Sequence, residues 1–151
     1  MTPAELQKLL TNPSLSGVCS AERWAERPYG LVVALQGGGS VYWAITGAQG
    51  FAAAPEDGGG PGPQPVPNLA GGKTATADVE QALLAALMSD VDEGHVVRVE
   101  RYSTGPNPPT FRYGATIDCR DTWRLFITCV GTARAGEHLR ESRHYQPDSE
   151  V

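Results

Sequence analysis

TADVEQALLAALMSDVDEGHVVRVERYSTGPNPPTFRYGATIDCRDTWRLFITCV, residues 76–130, decides the fold. Its opening carries apolar side chains at helical spacing. Val79, Ala82, Leu83, Ala86 and Leu87 form one stripe, and Leu84, Met88 and Val91 widen it. Thr76 is placed to cap the helix. Asp78 and Glu80 fall near the first turn, where carboxylates meet the positive end of the helix dipole. Gly94, after the acidic run Asp90, Asp92 and Glu93, marks the exit. A stripe this wide predicts a helix packed on a sheet. The period then changes to two. Residues 95–102 are rich in valine and charge, and 103–110 (STGPNPPT) is a turn cluster. From 111 to 119, Phe111, Tyr113, Ala115, Ile117 and Cys119 share one face. Trp123, Leu125, Ile127 and Cys129 form the inward row of the last strand, with Arg124, Phe126 and Thr128 opposite. Arg120 and Asp121 make a tight reversal between these strands. Consecutive strands joined by short polar turns form an antiparallel meander.

Upstream, Thr2-Pro3-Ala4-Glu5 is a capping box with proline at the first helical position. Leu6, Leu9 and Leu10 give that helix its buried side, and Asn12-Pro13 stops it. Ser20 to Glu26, between a capping serine and Pro28, predicts a second short helix. Leu31 to Leu35 (LVVAL) suits a buried strand, and Gly37-Gly38-Gly39 turns it. Val41, Trp43 and Ile45 alternate with Tyr42, Ala44 and Thr46 as its hairpin partner. Phe51 to Ala54 reads as a further short strand. Residues 55–75 are about half glycine and proline, a linker or a long excursion. Ala133 to Tyr145 is heavily charged, a solvated helix or a tail that orders on a partner. No internal repeat is visible. The expected fold is α+β: one domain over 1–151, with an open antiparallel sheet of a hairpin plus a three-stranded meander, and helices packed on one face. A Gly/Pro-rich loop at 55–75 and a charged tail at 133–151 complete it.

Composition bounds the partners. The chain has 151 residues and a net charge of −5, with 18 glycines and 12 prolines. An acidic chain argues against nucleic acid, because phosphate binding needs a basic face. No basic segment runs into an apolar core at the start, and no run approaches the ~20 apolar residues of a membrane span. Three cysteines, an odd number, fit free thiols in a reducing cytoplasm.

The motifs are few. Gly71-Gly72-Lys73-Thr74 before a helix has the end of a P-loop, but the first glycine that loop needs falls on Pro67. A calcium loop set on Gly94 puts Ser89 and Val91 at its first and third ligand positions, and valine offers no side-chain oxygen. Cys19, Cys119 and Cys129 with His95, His138 and His144 lack paired ligand spacing, so no metal and no cofactor are expected. Cys119 and Cys129 read as small core hydrophobes. One catalytic set can be assembled: Cys119 as nucleophile, His95 as base, and Asp118 or Asp121 as orienter, brought together by antiparallel pairing. Arg98, Arg112 and Arg124 lie on polar rows with Tyr102 and Phe126. That row is either a solvated face with cross-strand pairs to Glu100 or a binding surface.

The order of elements is similar to that of small acidic chaperones that bind secretion substrates. It is loosely similar to tail-terminator and neck proteins of phage-like particles. The lack of a complete catalytic motif, the row of arginines and aromatics, the long loop and the charged tail lead to the expectation of a non-enzymatic protein–protein interaction module. It would be a structural subunit of a larger assembly or a small acidic chaperone or immunity-type partner, acting as a homo-oligomer or in a stable complex. The alternative is a small cysteine-dependent enzyme using Cys119 and His95.

Overall fold

The computed structural model describes residues 1–11, 18–51, 65–69, 71–91, 95–105 and 111–151. The chain forms α1 (Pro3–Leu10), β1 (Val18–Arg23), β2 (Gly30–Leu35), β3 (Ser40–Ala48), α2 (Thr76–Asp90), β4 (Val96–Arg101), β5 (Gly114–Cys119) and β6 (Arg124–Ala133). The strands make one six-stranded antiparallel sheet in the order β1-β2-β3-β6-β5-β4. The fold is α+β with an open sheet. It is also a topological repeat. A helix followed by a three-stranded meander occurs twice, and the halves join where β3 pairs β6, from Ser40↔Ala133 to Ala48↔Arg124.

Both helices lie on one face. Leu6 and Leu10 of α1 and Val79, Leu83 and Leu87 of α2 share one core with Leu31, Trp43, Ile45, Ile117, Leu125 and Ile127 of the sheet. A smaller cluster lies apart from it, made of Trp24, Tyr42, Val130 and Ala133 and closed by Leu139. Among the described residues, no helix is long and apolar enough to cross a membrane.

The α1 capping box is present. The Glu5 N–H donates to Thr2 Oγ1 at 3.2 Å, and the Thr2 N–H donates to Glu5 Oε2 at 2.7 Å. The β2–β3 hairpin turns on Gly38, whose φ of +96° suits glycine. Of the inward row expected from 111, Tyr113, Ala115, Ile117 and Cys119 are buried; Phe111 precedes β5 and is exposed.

Three expectations change. Ser20 to Glu26 is not a helix, since its first half belongs to β1, paired with β2 from Val18↔Leu35 to Arg23↔Leu31. A helix of so few residues is marginal, whereas the edge of β2 offers a ladder. Thr76 is not the cap of α2. Ala75 holds that position, while Thr76 donates its N–H to Ser149 O at 2.8 Å and its Oγ1 hydroxyl to Asp148 O at 2.5 Å. An orphan amide at a helix start needs an acceptor of any kind, and the chain's own end supplies it. The charged segment after β6 is not a helix and does not wait for a partner. It makes only a 3-10 turn at Glu141–Arg143, then folds back on its own chain. Tyr145 N–H donates to Val130 O at 2.6 Å, Asp148 N–H to Thr132 Oγ1 at 2.8 Å, and Thr74 and Val151 exchange two bonds of 2.8 Å.

Residues 52–54 of the short strand expected after Phe51, and the exit at Gly94, lie outside the described residues. So does most of 55–75. Its described end is tied down, with Leu69 buried in the core and Pro65 O accepting from Gln81 Nε2 at 2.9 Å.

Candidate functional site

Strand alternation sorts the candidate residues onto opposite faces. On β4, Val99 packs into the core and Arg101 reaches α2, while Arg98 and Glu100 are exposed on the other side. Neighbouring strands add Thr116 and Asp118 of β5 and Arg124 and Phe126 of β6 to that outer face. These six residues line a shallow depression of about 250 Å³. A second depression, about 200 Å³, adjoins it through Phe126 and is lined by Arg27, Tyr102, Phe111 and Tyr145 among others.

Arg124 is held in place by its neighbours. Its Nε donates to Asp118 Oδ1 at 2.5 Å and its Nη2 to Oδ2 at 3.3 Å, a two-pronged pair. Its guanidinium lies 4.1 Å from the centroid of the Phe51 ring. Arg98 and Glu100 pair at 3.5 Å along the same strand and stay exposed. Tyr102 is buried, its hydroxyl 2.9 Å from Thr116 Oγ1, and burial pushes that hydroxyl above its ordinary pKa.

Arg98, Tyr102, Arg124 and Phe126 therefore line one continuous face, and Arg112 does not join them. Its guanidinium sits over the Tyr113 ring, 5.2 Å from the centroid. Sequence reasoning missed Arg27, Phe111 and Tyr145. Phe111 and Tyr145 meet with ring centroids 5.4 Å apart, and Arg27 Nη2 donates to the Tyr145 hydroxyl at 3.5 Å. Only the fold-back of the tail brings them together, so no local signal marks them.

Glu80 is a second surprise. It lies in the first turns of α2, yet it is fully buried. Oε1 accepts from Arg101 Nε at 2.7 Å and Ser103 Oγ at 2.5 Å, and Oε2 accepts from the Gly114 N–H at 2.7 Å. Arg101 also donates to Gln81 Oε1 at 2.5 Å and to Ala77 O at 3.2 Å. This satisfied network bolts α2 to β4 and β5.

The catalytic set assembles only in part. Asp118 turns to the outer face and pairs with Arg124, away from Cys119. Asp121 stands in its place. Donor atoms of His95, Cys119 and Asp121 all lie within 4.8 Å of one another, with His95 Nε2 at 3.8 Å from Asp121 Oδ2. The amino group of Met1 also bonds Asp121 Oδ2. Burial pushes the Cys119 thiol up to about 11, so it is protonated at neutral pH and is not a ready nucleophile. Burial also raises the Asp121 carboxyl. The hydrogen bond and charge of the Met1 amino group outweigh that effect and hold it below its ordinary value. Cys129 lies deep in the core, pushed up to about 12 by burial.

The remaining motif residues are engaged elsewhere. Thr74 is buried, with its hydroxyl donating to Leu69 O at 3.3 Å and its N–H to Val151 O at 2.8 Å. Asp148, Ser149 and Val151 therefore meet this helix start. His144 packs edge-on to Trp24, 6.0 Å between centroids, and His138 lines a separate cleft with Arg134 and Arg140.

No family model matches this chain, and neither a curated protein nor a solved structure matches it.

Proposed function

We propose that the chain is a non-enzymatic protein–protein interaction module that associates with a second copy of itself through the outer face of β4, β5 and β6. One observation carries this reading. The face opposite the helices presents Phe126 between two arginines, Arg98 and Arg124, and two carboxylates, Glu100 and Asp118, in one depression. A two-fold interface uses the same patch on both subunits, so the patch must complement itself. Opposite charges in equal number around an aromatic centre meet that condition, and arginine and aromatic residues are the usual anchors of such contacts. The adjoining Phe111 and Tyr145 extend the apolar part.

Such a module suits a structural subunit of an assembled particle, or a small acidic chaperone or immunity-type partner. The free thiols of Cys119 and Cys129 fit a cytoplasmic setting. The test is native mass by light scattering across a concentration series. The expected result is a dimer in the native chain and a monomer in Phe126→Glu, with unchanged circular dichroism. A native chain that stays monomeric across the series overturns the reading.

A further inference from the structure

We propose that His95, Cys119 and Asp121 form a binding site for a divalent metal ion of the zinc type. This site is separate from the self-association face proposed above.

Three donors of different chemistry converge from separate points of the chain. His95 stands at the entry to β4, Cys119 at the end of β5, and Asp121 in the β5–β6 turn. Val96 pairs with Cys119 across the ladder, which is why residues far apart in sequence meet here. Thiolate with imidazole and carboxylate is the donor set that zinc takes; magnesium and calcium take oxygen alone.

The spacing suits such an ion. A tetrahedral zinc site with bonds of about 2.0–2.3 Å places its donors roughly 3.3–3.6 Å apart. Here His95 Nε2 and Asp121 Oδ2 are 3.8 Å apart, and all three donors lie within 4.8 Å. Side-chain rotation of about 1 Å closes the site.

The backbone that carries the donors is tied. The Arg120 N–H donates to His95 O at 2.9 Å, Cys119 N–H to Trp123 O at 2.9 Å, and Thr122 N–H to Cys119 O at 3.2 Å. Thr122 holds a φ of +70° in the middle of this turn. Cys119 forms a buried floor, whereas the side chains of His95 and Asp121 are 33% and 42% exposed. That leaves three protein ligands and a mouth facing water, the pattern of a site with one open position. The Met1 amino group bonds Asp121 Oδ2, so an entering metal ion displaces that ammonium from the carboxylate. On binding, the metal takes the Cys119 sulfur as thiolate. The thiol proton leaves to solvent, and no electron changes hands.

Cobalt(II) reports on this directly. Titrated into the full-length chain in thiol-free, oxygen-free buffer, it should give one equivalent of a thiolate-to-cobalt charge-transfer band that zinc bleaches. Cys119→Ser should lose the band, while Cys129→Ser and Cys19→Ser keep it. His95→Gln and Asp121→Asn, at positions outside the core, should each weaken cobalt binding by roughly tenfold or more. These two variants decide the matter should Cys119→Ser misfold. Absence of the band at excess cobalt, its survival in a folded Cys119→Ser, or native affinity in both His95→Gln and Asp121→Asn overturns the proposal.

Discussion

α1 and α2 open equivalent halves of the sheet, yet they are buried differently. α1 is amphipathic in the simplest way: Leu6 and Leu10 face the core, and Glu5 and Lys8 face water. α2 is enclosed so fully that Glu80 and Gln81 are buried with its leucines. The opposite faces of the halves differ in the reverse sense. Over the first half, the returning tail lays Leu139 against the cluster of Trp24 and Tyr42, with His144 beside Trp24. Over the second half, no described helix covers Arg98, Glu100, Arg124 and Phe126. Among the described residues, the same topology thus makes one half closed on both faces and the other closed on one. What an element must bury follows from what lies across from it, not from its place in the repeat.

The sharpest test of this contrast removes a polar anchor from each helix. Glu80→Ala leaves the Arg101 guanidinium and the Gly114 N–H without their buried acceptor, and should cost about 3–5 kcal/mol in urea unfolding. Glu80→Gln, which keeps an acceptor in place, should lose less. Thr2→Ala removes the cap of α1 and should cost about 1 kcal/mol. Equal losses would erase the difference between the two helices.

Gly114 and Gly50 make a second pair. Both have positive φ, +142° and +95°. A Cβ on Gly114 would stand 2.2 Å from Ile127 O, whereas nothing lies within 4 Å of one on Gly50. Gly114→Ala should therefore cost more than about 2 kcal/mol, and Gly50→Ala only about 1 kcal/mol, the price of the conformation alone. A smaller loss at Gly114 would mean that the junction under Glu80 is looser than the first half.

The outer faces give the third test. Leu139→Ala should loosen the tail, cost about 1 kcal/mol and shift Trp24 emission to the red, since it opens a partly buried apolar contact. Phe126→Ala on the uncovered side should change stability by less than about 0.5 kcal/mol and act only on self-association. A large stability loss at Phe126 would make that face structural after all.

These contrasts also explain what could be read in advance. Periods of 3.6 and 2 located α2, the hairpin and the meander, because they record burial on one side of a regular element. The capping box of α1 was legible because all its partners lie within four residues. β1 was not legible. Ser20 to Arg23 carries no alternation of its own and becomes a strand only because β2 presents an edge. Nor was the role of Glu80. At that spacing a carboxylate suits a helix dipole in water, and its partners Arg101, Ser103 and Gly114 are remote in sequence. The outward row Arg98, Arg124 and Phe126 followed from alternation, while Tyr145 and Phe111 needed the fold-back of the tail. The partnership of Cys119 with Asp121 in place of Asp118 rests on face. Asp118 falls one residue from Cys119 and so points to the other side of the sheet.

The seam between the halves supplies a small effect and the one that joins them. Cys129 on β6 pairs with Trp43 on β3, so its thiol lies where the two meanders meet. Burial pushes that thiol from an ordinary value of 9.0 up to about 12. The folded chain thus holds this proton more tightly than the unfolded chain does. The resulting stability is fully present below pH 9 and is lost as pH rises from there toward 12. Cys119, pushed up to about 11, and Tyr102 and Tyr113, also raised by burial, act in the same sense. Urea midpoints measured from pH 8 to 10.5 should fall, and the fall should be shallower in Cys129→Ala, by less than about 1 kcal/mol near pH 9.5. An unchanged slope in that variant would assign the alkaline loss to Cys119 and the two tyrosines, all in the second half. A shallower one would place it at the seam, and the two halves should then lose structure together, with Trp24 emission and far-ultraviolet dichroism following one curve.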